Sequence, residues 1–138
     1  MTWSHPWGAS PCYFILSRLL GVTPITPGFA HVRIKPQTGK LSYASGIMPT
    51  IRGPISVHAR MNRATAAIVS VSLPGSVRAE VWLPVTRGWT SRHPRVACVN
   101  GRPHSPWSVV SGRDGGAFVV VADVMGLADV TLCGAVSP

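Results

Sequence analysis

A chain of 138 residues has room for one ordinary domain with a real hydrophobic core. Its apolar fraction of 46% against a charged fraction of 12% excludes the charge-rich composition of a disordered chain. The formal charge of +9 invites a nucleic-acid reading, but its arrangement opposes one. Eleven of the thirteen basic residues are Arg, spread singly from Arg18 to Arg113 with no basic run or helical stripe. Even if Arg52, Arg60 and Arg63 met in space, with Trp82, Trp89 and Trp107 as stacking faces, only weak, salt-sensitive binding would follow. Specific nucleic-acid recognition is not expected.

The first element in chain order is a helix over Pro11 to Leu20. Ser10 offers a cap, and Pro11 gives up no N–H that the helix would use. Gly21 supplies a left-handed stop, and Pro24 blocks continuation. Cys12, Ile15, Leu16, Leu19 and Leu20 form one apolar stripe, but Tyr13 and Phe14 fall outside it. A helix apolar nearly all round demands burial on more than one side, so a neighbour or a second copy is expected against it. At about 15 Å it is half of what a bilayer requires, and no membrane span is expected.

After a reversal at "TPITPG" the period becomes that of strands. Phe29 to Lys35 turns Val32 and Ile34 to one face and His31, Arg33 and Lys35 to the other. Leu41 to Met48 and Pro54 to Met61 follow, joined through "PTIRG". In the second, Ile55, Val57 and Ala59 alternate with Ser56, His58 and Arg60, which makes His58 an exposed strand residue rather than a ligand. Ala67 to Leu73, Val77 to Val85, Val96 to Val99, a polar stretch at Ser108 to Arg113, Ala117 to Asp123 and Asp129 to Cys133 continue the series. Turn signals at "LPGS", "VNGRP", "GRDGG" and "VMGLAD" divide it. About eight short strands and one short N-terminal helix predict an all-β fold, an antiparallel β-sandwich.

Catalytic chemistry finds little to use. Glu80, Asp114, Asp123 and Asp129 are the only acidic residues, each in a turn or on a strand, and glycosidic hydrolysis needs two carboxylates facing across a bond. Neither a nucleophile elbow nor a phosphate loop is present. No catalytic residue is assigned. The three cysteines are widely spaced and lack a C-x-x-C pair, so neither a disulfide framework nor zinc is expected. Cys12 in a helical pattern and Cys133 in a strand pattern read as buried free thiols, which with no evident secretory signal favours a reducing, cytoplasmic setting. The five His residues lack ligand spacing, and neither metal nor cofactor is assigned. His5 and Trp7, just before the helix, are the best candidates to touch a small polyhydroxyl ligand, by imidazole hydrogen bonds and aromatic stacking.

The stretch from His5 to Val57 resembles the junction and C-terminal β-sandwich domain of bacterial-type α-L-rhamnosidases, inverting glycoside hydrolases that release terminal L-rhamnose. The matching positions are His5, Trp7, Ser10 and Pro11 before and in the helix, Leu20 and Gly21 at its stop, Pro27, Gly28 and Phe29 in the reversal, and Ile34 and Pro36 ending a strand. Gly46, Pro49, Thr50, Gly53 and Ile55 complete a G-x-x-P-T-x-x-G-x-I hairpin. "VWLPV" and "VNGRP" are similar to later sandwich segments. The resemblance divides the chain into 1–24, the terminal helix of an (α/α)₆ barrel with its junction, and 25–138, the sandwich. It implies a non-catalytic accessory or remnant domain whose partner is a helical-barrel catalytic domain, or another copy met through the N-terminal helix. It also implies that the catalytic acids belong to the barrel, and that His5 and Trp7 bind substrate only where a barrel is supplied. An independent carbohydrate-binding module is the alternative.

Overall fold

The computed structural model describes residues 8, 10–61, 67–85, 96–111 and 117–133. Among these, two β-sheets face each other across one core, and the fold is all-β. A five-stranded sheet holds β1 (Val22–Pro24), β2 (His31–Ile34), β6 (Arg78–Pro84), β10 (Ala117–Val124) and β9 (Trp107–Ser111), side by side in that order. A six-stranded sheet holds β3 (Tyr43–Met48), β4 (Ile55–Arg60), β5 (Ile68–Ser72), β11 (Leu127–Cys133), β7 (Val96–Val99) and β8 (Arg102–Pro103). Eleven strands thus stand where about eight were expected. The additions are β1, at the start of the expected reversal, β8, within the "VNGRP" turn, and β9, over the stretch read only as polar.

Alternation in the sequence decides which face of each strand is inside. Val32 and Ile34 on β2, Ile55, Val57 and Ala59 on β4, and Val69 on β5 are fully buried, as are Val81 and Leu83 on β6 and Val130 on β11. Each fully buried Val, Leu or Ile side chain contributes about 1.5–3 kcal/mol relative to exposure, so these inward faces hold the sheets together. The hairpin turns follow their residues. Thr50 Oγ1 accepts the Arg52 N–H at 3.1 Å and donates to the Gly53 carbonyl at 2.6 Å, closing the "PTIRG" turn. Asn100 and Gly101 have φ of 52° and 74°, the left-handed pair that joins β7 to β8 in a two-residue hairpin.

One pairing departs from the expected antiparallel pattern: β2 runs parallel to β6, with Arg33 opposite Glu80. Between them the chain builds β3, β4 and β5 in the other sheet, the long crossover that a parallel pair requires.

The helix also differs. Its α part, α1 (Ser10–Phe14), passes into a π-helical turn over Ile15–Leu19, where the Leu20 N–H reaches back five residues to the Ile15 carbonyl. Bonds of that span advance each residue less around the axis than in an α-helix, so an apolar stripe read at the α period drifts. Leu20 is buried, Leu16 and Leu19 are half-buried, and Ile15 and Cys12 are exposed.

Gly21 ends this segment with φ of 70°, and a Cβ there would overlap the Lys35 carbonyl. The two segments are joined at that point, with the Lys35 N–H donating to the Gly21 carbonyl at 3.1 Å and the Gln37 N–H to the Leu19 carbonyl at 2.9 Å.

The cysteine expectations fail. Cys98 and Cys133 form a disulfide, and Cys12 is free but exposed. Thirty-five residues separate the bonded pair in sequence, but β7 and β11 are neighbours. Thr131 lies opposite Cys98, which puts Cys133 on the diagonal with the Cα atoms 5.9 Å apart, within disulfide range. The argument from free thiols for a reducing setting falls with the pairing.

Two stability measurements check these contacts. Gly21→Ala combines a left-handed φ with a backbone overlap and should cost about 3 kcal/mol or more in urea unfolding. Gly39→Ala, with φ of 60° but nothing within 4 Å of its Cβ, should cost only about 1–2 kcal/mol. Equal losses would show that the close approach contributes nothing. Cys133→Ser should lower stability by about 3–4 kcal/mol, the chain-entropy value for a loop of this length; an unchanged unfolding midpoint would deny the bond.

Candidate functional site

The helical segment meets the sandwich through its π-helical turn, and α1 itself buries no residue. Leu20 is buried, and Leu16 and Leu20 press on Gly46 of β3, where a Cβ would lie 3.2 and 2.8 Å from their methyl carbons. Only glycine lets the helix sit this close. Ser17 faces the same buried side and donates its hydroxyl to the Tyr13 carbonyl at 2.7 Å, so its polar atom is satisfied within the helix. One turn nearer the N-terminus, Tyr13, Phe14 and Ile15 are exposed at 64%, 52% and 51%. Phe14 and Ile15, with Pro11, Arg18, Leu19 and Gln37, line an open and mostly apolar groove. An all-round apolar helix has found cover for one face.

His5 and Trp7, the expected ligand contacts, lie outside the described residues, as does Asp114. The other acidic residues do not converge. Glu80 projects from β6 on the outer face of the five-stranded sheet, while Asp129 projects from β11 on the outer face of the six-stranded sheet. The whole thickness of the sandwich separates them. Asp123, at the irregularity in β10, pairs with Arg78 at 3.8 Å, and Glu80 pairs with Arg33 at 3.3 Å. These carboxylates balance arginines on one sheet face and do not flank a cleft. His58 is exposed on β4, as expected, and its Nδ1 lies 3.2 Å from the Tyr43 hydroxyl. Among the described residues no group of His, Cys, Asp and Glu is gathered to hold a metal, and no helix is long and apolar enough to cross a membrane.

The basic and aromatic residues considered for nucleic acid do not assemble either. Arg52 is held by the Gly28 carbonyl at 2.8 Å, Arg60 stands on β4, and Arg63 lies outside the described residues. Trp82 faces outward, Trp107 packs against the core, and Trp89 is also outside the described residues.

One cluster was not legible in advance. Arg33, Lys35, Glu80, Trp82 and Phe118 gather on the outer face of the five-stranded sheet. Alternation assigns Arg33 and Lys35 to an outward face, but only the parallel β2–β6 pairing brings them beside Glu80 and Trp82.

The family model of the bacterial alpha-L-rhamnosidase C-terminal domain matches residues 21–97, more than half of the chain. The chain belongs to this family. The match begins at Gly21, the residue whose carbonyl ties the helix end to β2. Two solved structures share the fold. An α-L-rhamnosidase of Streptomyces avermitilis, complexed with L-rhamnose, is 24% identical with a TM-score of 0.59 over 86% of this chain and 10% of its own. An α-L-rhamnosidase of Dictyoglumus thermophilum is 18% identical with a TM-score of 0.64 over 91% of this chain and 14% of its own. This chain therefore spans about a tenth to a seventh of those enzymes. No curated protein matches.

The uncovered helix face predicts that the isolated chain self-associates through it. Replacing Tyr13 and Phe14 together by Ser should weaken association at least tenfold, about 1.4 kcal/mol, in sedimentation equilibrium. A native chain that is already monomeric at high concentration would contradict the expectation.

Proposed function

We propose that this chain acts as a non-catalytic C-terminal accessory domain, or its remnant, of an α-L-rhamnosidase-like glycoside hydrolase. Its work is mechanical: it covers and braces the end of a helical catalytic barrel. The carrying observation is the exposed apolar surface of Tyr13, Phe14 and Ile15 on a helix already fixed to the sandwich through Leu16 and Leu20, in a chain of this family. Packing that face against barrel helices would remove its apolar surface from water at roughly 25 cal/mol per Å². Residues 1–24 are the junction in this reading and 25–138 the sandwich, although Val22–Pro24 of the junction already pairs with β2. His5 and Trp7 would face the barrel's sugar pocket, and the catalytic acid and base would be the barrel's own.

Missing parts are the chemical basis of the non-catalytic assignment. Inverting hydrolysis needs an acid at the leaving oxygen and a base holding water on the opposite ring face, with carboxyl groups roughly 6.5–9.5 Å apart. Glu80 and Asp129 stand on opposite sides of the molecule, and Glu80 and Asp123 are each engaged by an arginine. The purified 138-residue chain should therefore release no chromophore from an aryl α-L-rhamnoside above the buffer rate. Turnover by the native chain that is abolished by Glu80→Ala, Asp114→Ala, Asp123→Ala or Asp129→Ala would overturn the reading and reveal an enzyme.

A further inference from the structure

The outer face of a two-sheet sandwich meets water, and its strands ordinarily turn polar side chains that way. The five-stranded sheet departs from this at its centre. Trp82 and Pro84 on β6, Phe118 and Val120 on β10, and Val110 on β9 all point outward, with Trp82 opposite Val120 and Phe118 opposite both Pro84 and Val110. The Trp82 and Phe118 rings are half-buried, with centroids 5.8 Å apart.

Three polar side chains border these rings, and each has bonding capacity left over. Lys35 Nζ lies 4.6 Å from the Trp82 centroid and 4.3 Å from that of Phe118. The rings offset part of its charge but accept none of its three N–H bonds in the way an oxygen would. Among the described residues its ammonium has no carboxylate within ion-pair distance, whereas Arg33 and Arg78 each have one. Arg33 sits with Cζ 5.0 Å from the Trp82 centroid and donates through Nε and Nη2, at 3.4 and 3.3 Å, to Glu80 Oε2. The Trp82 Nε1–H donates to the same oxygen at 3.4 Å. All three contacts converge on Oε2, and among the described residues nothing donates to Oε1, which can accept from a ligand hydroxyl.

Lys35 and Arg33 already lie over the ring faces, so the chemistry still called for is a carboxylate for Lys35 and a hydroxyl for Glu80. A uronic acid residue carries both on one pyranose ring. We propose that this face binds acidic glycans, with a uronate carboxylate on Lys35 and a ring hydroxyl on Glu80, beside the Trp82 indole. The site stands apart from the accessory-domain reading, because it lies on the sheet face and does not use the apolar side of α1. The net charge of +9 would draw such a polyanion in, and the face would fix its position.

The test titrates the full 138-residue chain with a short homogalacturonan oligomer and, separately, with a neutral galactan oligomer of equal length. The reporter is the Trp82 indole N–H resonance, identified by its disappearance in Trp82→Phe. Saturable movement of that resonance is expected with the acidic oligomer and not with the neutral one. Lys35→Gln should weaken binding about tenfold or more, as loss of a charge-assisted hydrogen bond does. Lys40→Gln, which removes one charge from an exposed residue outside this cluster, should leave binding unchanged. Circular dichroism confirms that each variant is folded. No movement of the Trp82 resonance, an equal response to the neutral oligomer, or equal weakening by Lys35→Gln and Lys40→Gln would overturn the proposal, the last by showing diffuse charge attraction only.

Discussion

The backbone bond from the Lys35 N–H to the Gly21 carbonyl is the constraint from which the arrangement of this domain follows. The helix must stop where it can meet the far end of β2, and only a residue without a Cβ can come that close to the Lys35 carbonyl. One residue later Val22 is already paired with Ile34, so the chain passes from helix to sheet with no flexible connector. Gly46 closes the other side by admitting Leu16 and Leu20 against β3. Two glycines far apart in sequence thus hold one short helix between the edges of two sheets. Whatever packs on the outer side of that helix is thereby oriented relative to the sandwich.

Charge is distributed in keeping with that scaffold. Of the thirteen basic residues, Arg33 and Arg78 are paired on one sheet face, and Arg52 serves a backbone carbonyl in the turn region. The positive charge is spread over both outer faces and the turns, so no continuous track of phosphate contacts forms among the described residues. Field attraction of polyanions remains available, but register along a nucleic-acid backbone does not.

The sequence was most informative where a local rule and the tertiary environment agree. The alternation of Val32 with Ile34, and of Ile55, Val57 and Ala59, marked buried faces because period-two patterning is a direct consequence of one face being wet. Asn100–Gly101 announced its turn, though not the short strand beyond it, through φ values that an Asn-Gly pair tolerates cheaply. What stayed hidden depends on pairing between distant segments. The parallel β2–β6 contact, the diagonal meeting of Cys98 with Cys133, and the gathering of Lys35, Trp82 and Phe118 each require knowing which strands are neighbours. The π-helical turn was hidden for a different reason: its stripe was read at the wrong period. The candidate contacts His5 and Trp7 were legible only as motif matches, and they lie outside the described residues.

Lys35 links the two surfaces proposed here to carry function. Its backbone N–H is committed to the junction with Gly21, and its side chain lies across Trp82 and Phe118 on the sheet face. A long lysine ordinarily loses close to 2 kcal/mol of rotamer entropy when a ligand fixes it. Here the backbone is already held by the helix junction, and two aromatic rings restrict the ammonium before any ligand arrives. Part of that ordering cost is met during folding, which is how preorganisation raises affinity without a new contact. If the proposed bracing and binding roles both hold, the binding face comes at little further cost in stability, because the bond that orients the helix also positions the cation.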